Sequence, residues 1–253
     1  MPPPTNPKIS IIIATWNAAE TLERCLESIT AQTFSSREVL IRDGGSTDAT
    51  LSIIEKHQRI VTWWESAPDN GIYDAWNLAL AHARGEYVCF LGADDALHAP
   101  DTLEIVFSAI GENTYDLVSS RGVVRNKNWK ALHTIGAPWN KARLPRRIRL
   151  CHPGLLRHRS LFTRFGKFNA SYRIAADFEF LLRLPPDIQT IDVPLITVDI
   201  QEDGISRHRF WQRIREYREV HAASPRVGPM KAWLYWADKA WRRPIARMLG
   251  LPH

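Results

Sequence analysis

Short apolar runs alternate with amphipathic stretches over the first 115 residues. Residues 9–14, Ile-Ser-Ile-Ile-Ile-Ala, form a nearly continuous β-branched run, which is typical of a strand buried on both faces of a parallel sheet. Behind this run, apolar residues between positions 22 and 29 recur at helical spacing, and Asn17, with Glu20 after it, is placed to cap that helix. The chain therefore opens with a predicted strand and helix.

The same alternation continues along the chain. It predicts strands at residues 39–42, 60–65, 87–91, 116–124 and 190–199, and helices at residues 47–57, 73–84, 159–165 and 175–184. Strands that alternate with helices are typical of a sheet covered by helices on both faces. We therefore predict a doubly wound, Rossmann-like α/β fold with a mostly parallel central sheet.

Polar residues follow three of the predicted strands. Thr15 and Asn17 come after the first strand, Asp43 after the second, and Asp94 with Asp95 after the fourth. Ligands of open α/β sheets bind beyond the carboxyl ends of the strands. The sequence thus predicts that these side chains meet in one crevice.

The adjacent carboxylates Asp94 and Asp95 are a candidate metal site. They follow Gly92 and Ala93, a turn of small residues that lets a ligand approach the backbone closely. Paired carboxylates suit a hard divalent cation such as Mg²⁺ or Mn²⁺, which neutralises a departing diphosphate. A turn-capping role for either residue is the alternative, and the polar ends of the neighbouring strands favour the metal site.

The Gly-rich loop at residues 42–48 matches neither the dinucleotide-binding nor the P-loop pattern. Within it, Asp43 is placed to accept an N–H of a pyrimidine ring, and Asp48 to cap the next helix. The alternative is that both residues only shape the turn. Asp69 lies at a second predicted turn, where donor binding and helix capping are both open interpretations.

Composition bounds the class of protein. A chain of 253 residues with 45% apolar residues can bury a large core. Its N-terminus lacks the apolar region of a signal peptide, and no run approaches the roughly 18 apolar residues needed to span a bilayer. The three cysteines match no metal-ligand spacing and are expected to pack in the core. We therefore expect a cytoplasmic protein.

Charge is strongly segregated. Residues 117–176 contain 14 Lys or Arg residues and no Asp or Glu, and residues 207–253 contain 11 basic and 3 acidic residues. Since the formal charge of the whole chain is +6, the remaining residues carry −16. Ligands respond to the local electric field more than to the net charge of a protein. The two basic segments therefore suit anionic ligands, and the acidic remainder suits cations.

Several ordered segments carry a family resemblance. IIIATWN, RDGGSTDAT and PDNGIYDAWNLALAHARGEYVCFLGADD resemble the nucleotide-binding half of family-2 glycosyltransferases of the GT-A fold. The likeness spans residues 9–97 and continues more loosely through CHPGLLRHRSLF and YRIAADFEF, which resemble the acceptor half of bacterial members that build polysaccharides. The resemblance implies a GT-A domain at residues 1–206, with a donor half (8–115) and an acceptor half (116–206), before a basic, Trp-rich helical extension (207–253).

The resemblance also implies roles for the strand-end residues. Thr15 and Asn17 would lie near the nucleoside, Asp43 on the base, Asp94 near the ribose or metal, and Asp95 on the metal itself. The implied reaction is inverting transfer of a sugar from a nucleotide-diphosphate donor to an acceptor hydroxyl on a saccharide or lipid-linked oligosaccharide. UDP-sugars are the favoured donors, and GDP- or dTDP-sugars are the alternatives.

The resemblance places the general base at Asp177. The family pattern has an acidic residue just before this position, whereas this chain has Ala176, so Glu179 is a second candidate. Residues two apart on a helix face different directions, and the apolar neighbours of Asp177 favour Asp177. A structural carboxylate at a helix start is the alternative. His152, in the basic segment, is a candidate contact for the diphosphate or acceptor, or a structural residue.

Two basic regions suggest a membrane surface as a partner. Residues 140–149 are dense in Lys and Arg, and apolar residues with tryptophans recur at helical spacing among basic residues over 229–249. Such a stripe is typical of a helix that lies in an anionic membrane interface, here the inner face of the cell membrane. Packing of the same helix against the catalytic domain is the alternative.

Two other functions compete with sugar transfer. A metal-dependent nucleotidyltransferase also holds a metal and a nucleotide in an α/β sheet. A non-enzymatic nucleic-acid-binding protein would fit the pI of about 9.4. The acidic strand ends oppose the latter, and no helix-turn-helix, zinc-finger or RNP pattern is present, so we expect no nucleic-acid partner.

Overall fold

A computed structural model describes residues 6–145, 149–202, 209–225, 227–228, 230 and 232–234. The strands are β1 (Ile9–Thr15), β2 (Arg37–Asp43), β3 (Val61–Ser66), β4 (Tyr87–Gly92), β5 (Ala96–Leu97), β6 (Leu117–Arg125), β7 (Ala131–Ile135), β8 (Leu156–His158) and β9 (Thr190–Gln201). The helices are α1 (Leu22–Thr30), α2 (Thr50–Lys56), α3 (Ile72–Leu80), α4 (Thr102–Ile110), α5 (Ser160–Phe165), α6 (Ala176–Arg183) and α7 (Phe210–Ala223).

One sheet organises these elements. Its strand order is β3-β2-β1-β4-β8-β6-β9-β5, and β7 pairs with β6 outside this path. The first four strands are parallel, as predicted, and β6 also pairs in parallel with β9. The pairings of β8 with β4 and β6, of β5 with β9 and of β7 with β6 are antiparallel. The sheet is therefore mixed rather than purely parallel, and its long pairings are the parallel ones, in agreement with the predicted mostly parallel sheet.

The sheet is buried on both faces, which explains the continuous apolar run of β1. Ile12 packs into one hydrophobic cluster with α3, α5 and α6, whereas Ile11 and Ile13 pack into a second cluster with α1, α2 and α4. Successive side chains of a strand point to opposite faces, so nearly every position of such a strand is apolar, and Ser10, an exception in β1, donates a hydrogen bond to Glu38 at 2.7 Å. The predicted cysteine packing is confirmed, since all three thiols are buried.

Of the two predicted helix-capping residues, Asn17 does not cap its helix, whereas Asp48 does contact the start of its helix. Asn17 does not cap α1: the residue before the helix is Thr21, and Asn17 has a positive φ of 47°. The loop between β1 and α1 uses Asn17 for other contacts, described below. Asp48 does secure the start of α2, because its Oδ1 accepts hydrogen bonds from the backbone N–H and the hydroxyl of Thr50.

The C-terminal region packs against the rest of the protein where it is described. Rings of Tyr217 and His221 on α7 contact Phe178 on α6, with centroids 4.8 and 5.1 Å apart. The predicted domain boundary at residue 206 lies outside the described residues, as does most of the predicted helix at 229–249. Within the described part of the chain, no helix is both long enough and apolar enough to cross a membrane.

Candidate active site

A pocket of about 760 Å³ opens beyond the carboxyl ends of β1, β4 and β9. Its walls come from the ends of these three strands, the loops after β1, β2 and β4, the start of α3 with the loop before it, and the segments before β8 and α6. The predicted site residues that line it are Thr15, Asn17, Asp69, Asp94, Asp95 and His152. The structure thus brings the polar residues after β1 and β4 together in one pocket, whereas Asp43, at the end of β2, does not line it.

Asp43 lies just behind the pocket wall and is fully buried. Its two oxygens accept hydrogen bonds from the hydroxyls of Thr15, Ser46 and Ser66 and from the backbone N–H groups of Gly45 and Ser46. Burial opposes its ionisation, but these hydrogen bonds outweigh it and hold the pKa of Asp43 below its ordinary value. The carboxylate therefore ties the end of β1 to the Gly-rich loop after β2.

Asn17 joins the same two loops. Its N–H donates to the Ser46 hydroxyl at 2.8 Å, and its Oδ1 accepts from the N–H of Thr47 at 2.9 Å. Asn17 makes these contacts in the left-handed conformation, with φ 47°, which Asn adopts more readily than most residues. The preceding residue, Trp16, lines the pocket with 70% of its surface exposed. The exposed, flat indole ring of Trp16 is available to stack against a planar ligand.

The opposite wall is built around two glycines. Asp69 accepts the N–H of Gly71 at 2.7 Å, and a Cβ on Gly44 would lie 2.9 Å from Asp69 Oδ2. Gly71 has φ 102°, and a Cβ there would lie 2.6 Å from Arg173 Nη1. Among the described residues that line the pocket, Arg173 is the only Lys or Arg. These glycines allow a carboxylate and a guanidinium to reach the pocket.

The carboxylates of Asp94 and Asp95 converge above Gly92. A Cβ on Gly92 would lie 2.6 Å from Asp94 Oδ1 and 2.7 Å from Asp95 Oδ2. Asp95 is buried, and within the described part of the chain it accepts only two hydrogen bonds, both long at 3.3 Å, from the N–H groups of Gly92 and Gln201. Burial raises the pKa of Asp94, and burial together with Asp94 raises the pKa of Asp95 to about 8.

These two side chains fit a divalent cation in chemistry but supply few ligands. Among the described residues, no group of three or more His, Cys, Asp or Glu side chains is arranged to hold a metal. Mg²⁺ keeps several waters and commonly takes only one or two carboxylates beside substrate phosphates. A cation at Asp94 and Asp95 would therefore be completed by a ligand that brings its own phosphate oxygens.

Arg24 braces the carboxylate pair from outside the pocket. Its Nη2 donates to the backbone carbonyl of Asp94 at 3.1 Å and to Gln201 Oε1 at 2.8 Å. Its guanidinium also lies over the ring of Trp129, 3.7 Å from the centroid. Nothing in the sequence pattern pointed to Arg24, because its partners lie 70 to 177 positions further along the chain.

Asp177 lies next to the pocket rather than in its wall. Its Oδ1 is 3.1 Å from the hydroxyl of Tyr73, and its Oδ2 is 3.4 Å from Nε2 of His152. Arg157 is fully buried and donates to His152 Nε2 at 2.7 Å. Burial raises the pKa of Asp177, against the opposing effects of Arg157 and Tyr73.

His152 is neutral near pH 7, because burial and the charge of Arg157 put its pKa well below the ordinary value. Its ring stacks on Trp76, with centroids 5.8 Å apart. Glu179, the alternative base, pairs instead with Arg183, with a nitrogen to oxygen distance of 2.9 Å, and does not line the pocket. The structure thus brings Asp177, and not Glu179, into contact with residues of the pocket.

Comparison with known proteins agrees with this geometry. The sequence model described as Glycosyl transferase family 2 matches residues 10–174. A PGL/p-HBAD biosynthesis glycosyltransferase of Mycobacterium bovis is 38% identical over 183 residues, which cover 70% of this chain and 69% of that protein. An uncharacterized glycosyltransferase of Mycobacterium tuberculosis is 27% identical over 264 residues, covering 96% of this chain and 98% of that protein.

Solved structures share the fold over nearly the whole chain. S. aureus TarS in complex with UDP-GlcNAc matches with a TM-score of 0.68 and 18% identity, covering 97% of this chain and 76% of that chain. The mannosyltransferase PcManGT from Pyrobaculum calidifontis, in complex with GDP-Man and Mn²⁺, matches with a TM-score of 0.62 and 22% identity, covering 98% and 80%. These likenesses confirm the predicted GT-A fold.

Proposed function

Because the chain belongs to glycosyl transferase family 2, we propose that this glycosyltransferase moves a sugar from a nucleoside-diphosphate sugar to an acceptor hydroxyl with inversion. The observation that carries the proposal is a single pocket whose wall holds both a pair of under-coordinated carboxylates, Asp94 and Asp95, and His152, which contacts the half-buried Asp177 beside the pocket. The first pair suits the leaving diphosphate, and the second group suits the attacking hydroxyl.

The donor nucleoside is assigned to the loops after β1 and β2. Thr15 and Asn17 line the pocket there, and the exposed ring of Trp16 offers a face on which a base can stack. Asp43 holds these loops together, and a direct contact to the base would require one of its present donors to move. We favour UDP as the nucleotide. TarS binds UDP-GlcNAc and PcManGT binds GDP-Man, so donors of both classes suit this fold.

A divalent cation, Mg²⁺ or Mn²⁺, would be held by Asp95 with Asp94 beside it, and would neutralise the charge that develops on the leaving diphosphate. Support comes from the raised pKa of both carboxylates, which burial causes for Asp94 and burial with the charge of Asp94 causes for Asp95, because a bound cation would offset this cost of ionisation. Arg173 is placed to contact the same diphosphate from the other wall, and Asp69 to contact the donor sugar or ribose.

Asp177 is assigned as the general base. In the proposed step, the acceptor oxygen forms a bond to the anomeric carbon, the bond from that carbon to the diphosphate oxygen breaks, and the hydroxyl proton goes to Asp177. A positioned base typically contributes about 10²–10⁴-fold. A raised pKa favours this role, and the guanidinium of Arg157 keeps the ionised form accessible. His152 is neutral and is assigned to orient the acceptor hydroxyl.

The acceptor is assigned to the lipid-linked or polysaccharide class. The 38% identical relative is named for PGL/p-HBAD biosynthesis, and another relative, 30% identical over 116 residues, is a cholesterol galactosyltransferase of Borreliella burgdorferi. Acceptors with a lipid portion require access to a membrane surface. Exposed apolar side chains at the C-terminal end of the described chain, Trp211, Met230, Trp233 and Leu234, lie among basic residues and suit an anionic bilayer.

The membrane contact has its own test. Trp233→Glu in the full chain should reduce sedimentation with vesicles of anionic phosphatidylglycerol, whereas Leu78→Glu, an exposed apolar residue on α3, should not. Equal sedimentation of the Trp233 variant and the unchanged protein would refute the attachment.

The decisive experiment for the reaction is a donor screen. UDP-glucose, UDP-galactose, UDP-GlcNAc and GDP-mannose are each incubated with Mn²⁺ or Mg²⁺ and a bacterial lipid extract, and the released nucleotide is identified. Release of a nucleoside diphosphate supports sugar transfer, whereas inorganic diphosphate would indicate a nucleotidyltransferase. Asp177→Asn should retain donor binding and lose transfer. Glu179→Gln is the matched control, and equal loss in both variants would remove Asp177 from its assigned role.

A further inference from the structure

Glu216 lies on α7, beyond the segment that the family model matches. It is buried, with 4% of its surface exposed, although its neighbours on the helix are largely polar. A carboxylate is rarely buried unless charges or hydrogen bonds stabilise it. The partners of Glu216 therefore reveal what holds this helix in place.

The partners are three consecutive backbone N–H groups in another part of the chain. Oε2 of Glu216 accepts from Arg173 at 3.1 Å, Ile174 at 2.8 Å and Ala175 at 3.0 Å. Its Oε1 accepts from the side-chain amide of Gln212 at 2.9 Å. Hydrogen bonds to an ionised acceptor are roughly twice as strong as those between neutral groups. One side chain of α7 thus fixes the conformation of a whole loop segment.

That segment forms part of the pocket and leads directly into α6. Arg173 and Ile174 line the pocket, Ala175 precedes the first residue of α6, and Asp177 lies in the first turn of that helix. On its other side, the carbonyl of Ile174 accepts a hydrogen bond from the Tyr73 hydroxyl at 2.8 Å. The segment is therefore held between α3 of the donor half and Glu216 of α7.

From this arrangement we infer that Glu216 is a positioning residue for sugar transfer. It sets where the guanidinium of Arg173 enters the pocket and where the carboxylate of Asp177 stands beside His152. This inference rests on the proposed function. It also makes α7 part of the catalytic unit, although none of the described side chains of α7 lines the pocket.

The test compares three full-length variants, Glu216→Ala, Glu216→Gln and Glu219→Ala. Glu219 is the control, because it lies on the same helix, is largely exposed and pairs loosely with Arg215 at 3.8 Å. Transfer is measured with the donor and lipid extract that the donor screen selects, and donor affinity is measured separately by calorimetry with Mn²⁺. Hydrogen exchange at residues 173–175 reports on the loop itself.

Glu216→Ala should lower kcat by about 10- to 100-fold, because a displacement of about 1 Å at a reacting group is enough for a loss of that size. Donor affinity should fall by less than kcat does, because Arg173 is the one residue of this segment that is assigned to the donor, and exchange at residues 173–175 should become faster. Glu216→Gln keeps an oxygen acceptor and should restore most of kcat. Glu219→Ala should match the unchanged protein in all three measurements.

Each outcome decides a different question. An unchanged kcat in Glu216→Ala, or parallel loss of kcat and donor affinity, would overturn the positioning role. A Gln variant as impaired as the Ala variant would overturn the hydrogen-bond argument. If the unchanged protein releases no nucleoside diphosphate with any donor, the proposed function itself fails, and accelerated exchange in the Ala variant would then show only a structural contact.

Discussion

Replacing Asp95 by Asn should stabilise the cation-free protein while removing its response to Mn²⁺. Asp95 is buried beside Asp94, and its pKa is raised to about 8. In the unfolded chain the same carboxyl ionises near the ordinary Asp value of about 3.9. Between these two pH values the folded state binds more protons than the unfolded state, so Asp95 lowers stability progressively as pH rises.

The size of the effect follows from the same values. The ordinary pKa of Asp lies about three units below pH 7, and over that range Asp95 stays protonated in the folded state but is ionised in the unfolded state. Each unit lowers the free energy of unfolding by about 1.4 kcal/mol, so the loss at pH 7 is about 4 kcal/mol. Asn removes this cost but turns an amide NH₂ toward one of the two N–H donors, from Gly92 or Gln201, which costs about 1 kcal/mol. The net gain of about 3 kcal/mol corresponds to a Tm increase of roughly 5–10 °C.

Thermal melting at pH 7 in EDTA, repeated with Mn²⁺, measures both effects. A bound cation should raise the Tm of the unchanged protein through mass action and leave the Tm of Asp95→Asn unmoved. Asp192→Asn is the control, because Arg121 lowers the pKa of Asp192, so its removal should lower the Tm. A Tm of Asp95→Asn below that of the unchanged protein in EDTA, or a Mn²⁺ response equal to it, would refute the reasoning.

Three further results are expected. Gly71→Ala should reduce transfer at least tenfold by displacing the guanidinium that crosses it, whereas Gly111→Ala, also at positive φ but with nothing within 4 Å, should cost only stability; equal activity in both would contradict this. As pH falls, kcat should decline at a pH above the ordinary Asp value of about 3.9, because burial raises the pKa of Asp177 and its ionised form is the base; an acid limb below pH 4 would argue against it. Glu38→Ala should lower the free energy of unfolding in urea titration by about 3–5 kcal/mol, because the buried carboxylate of Glu38 accepts several hydrogen bonds. Glu86→Ala, which removes the exposed ion pair with Lys8, should lower it by less than about 1 kcal/mol.

The parallel half of the fold could be predicted because the apolar pattern of each of its strands is visible in the local sequence. β1, β2 and β4 are buried on both faces, so each contains a run of at least three consecutive apolar residues, and the loops behind them stand out as polar. The antiparallel half lacks that signal. β5 and β8 have only two and three residues, and β7 is largely exposed, so no periodicity marks them. Their pairing depends on tertiary contacts rather than on local pattern.

Asn17 shows where local rules fail within a correctly predicted region. Asn followed three residues later by Glu is a common start of a helix, and the sequence alone favours that interpretation. In the structure, Asn17 instead joins two loops by hydrogen bonds with Ser46 and Thr47, which lie 29 and 30 positions away. A polar residue between a strand and a helix satisfies either demand, and only the folded geometry selects between them.

Burial of a catalytic carboxylate also predicts a partner residue that the surrounding sequence motif does not reveal. A buried charge requires a countercharge or several donors, so each proposed catalytic carboxylate implies a partner that the local motif does not contain. For Asp177 the cation is Arg157, twenty positions earlier, and for the loop before it the anchor is Glu216, some forty positions later. Arg24 meets the same need beside Asp94. The need for a partner beside each carboxylate can be predicted from the sequence if the carboxylate is assumed to be buried. The sequence does not show which of its many arginines is that partner. Topology decides which one it is, and for this reason Arg24 and Glu216 lie outside the sequence segments that carry the family resemblance.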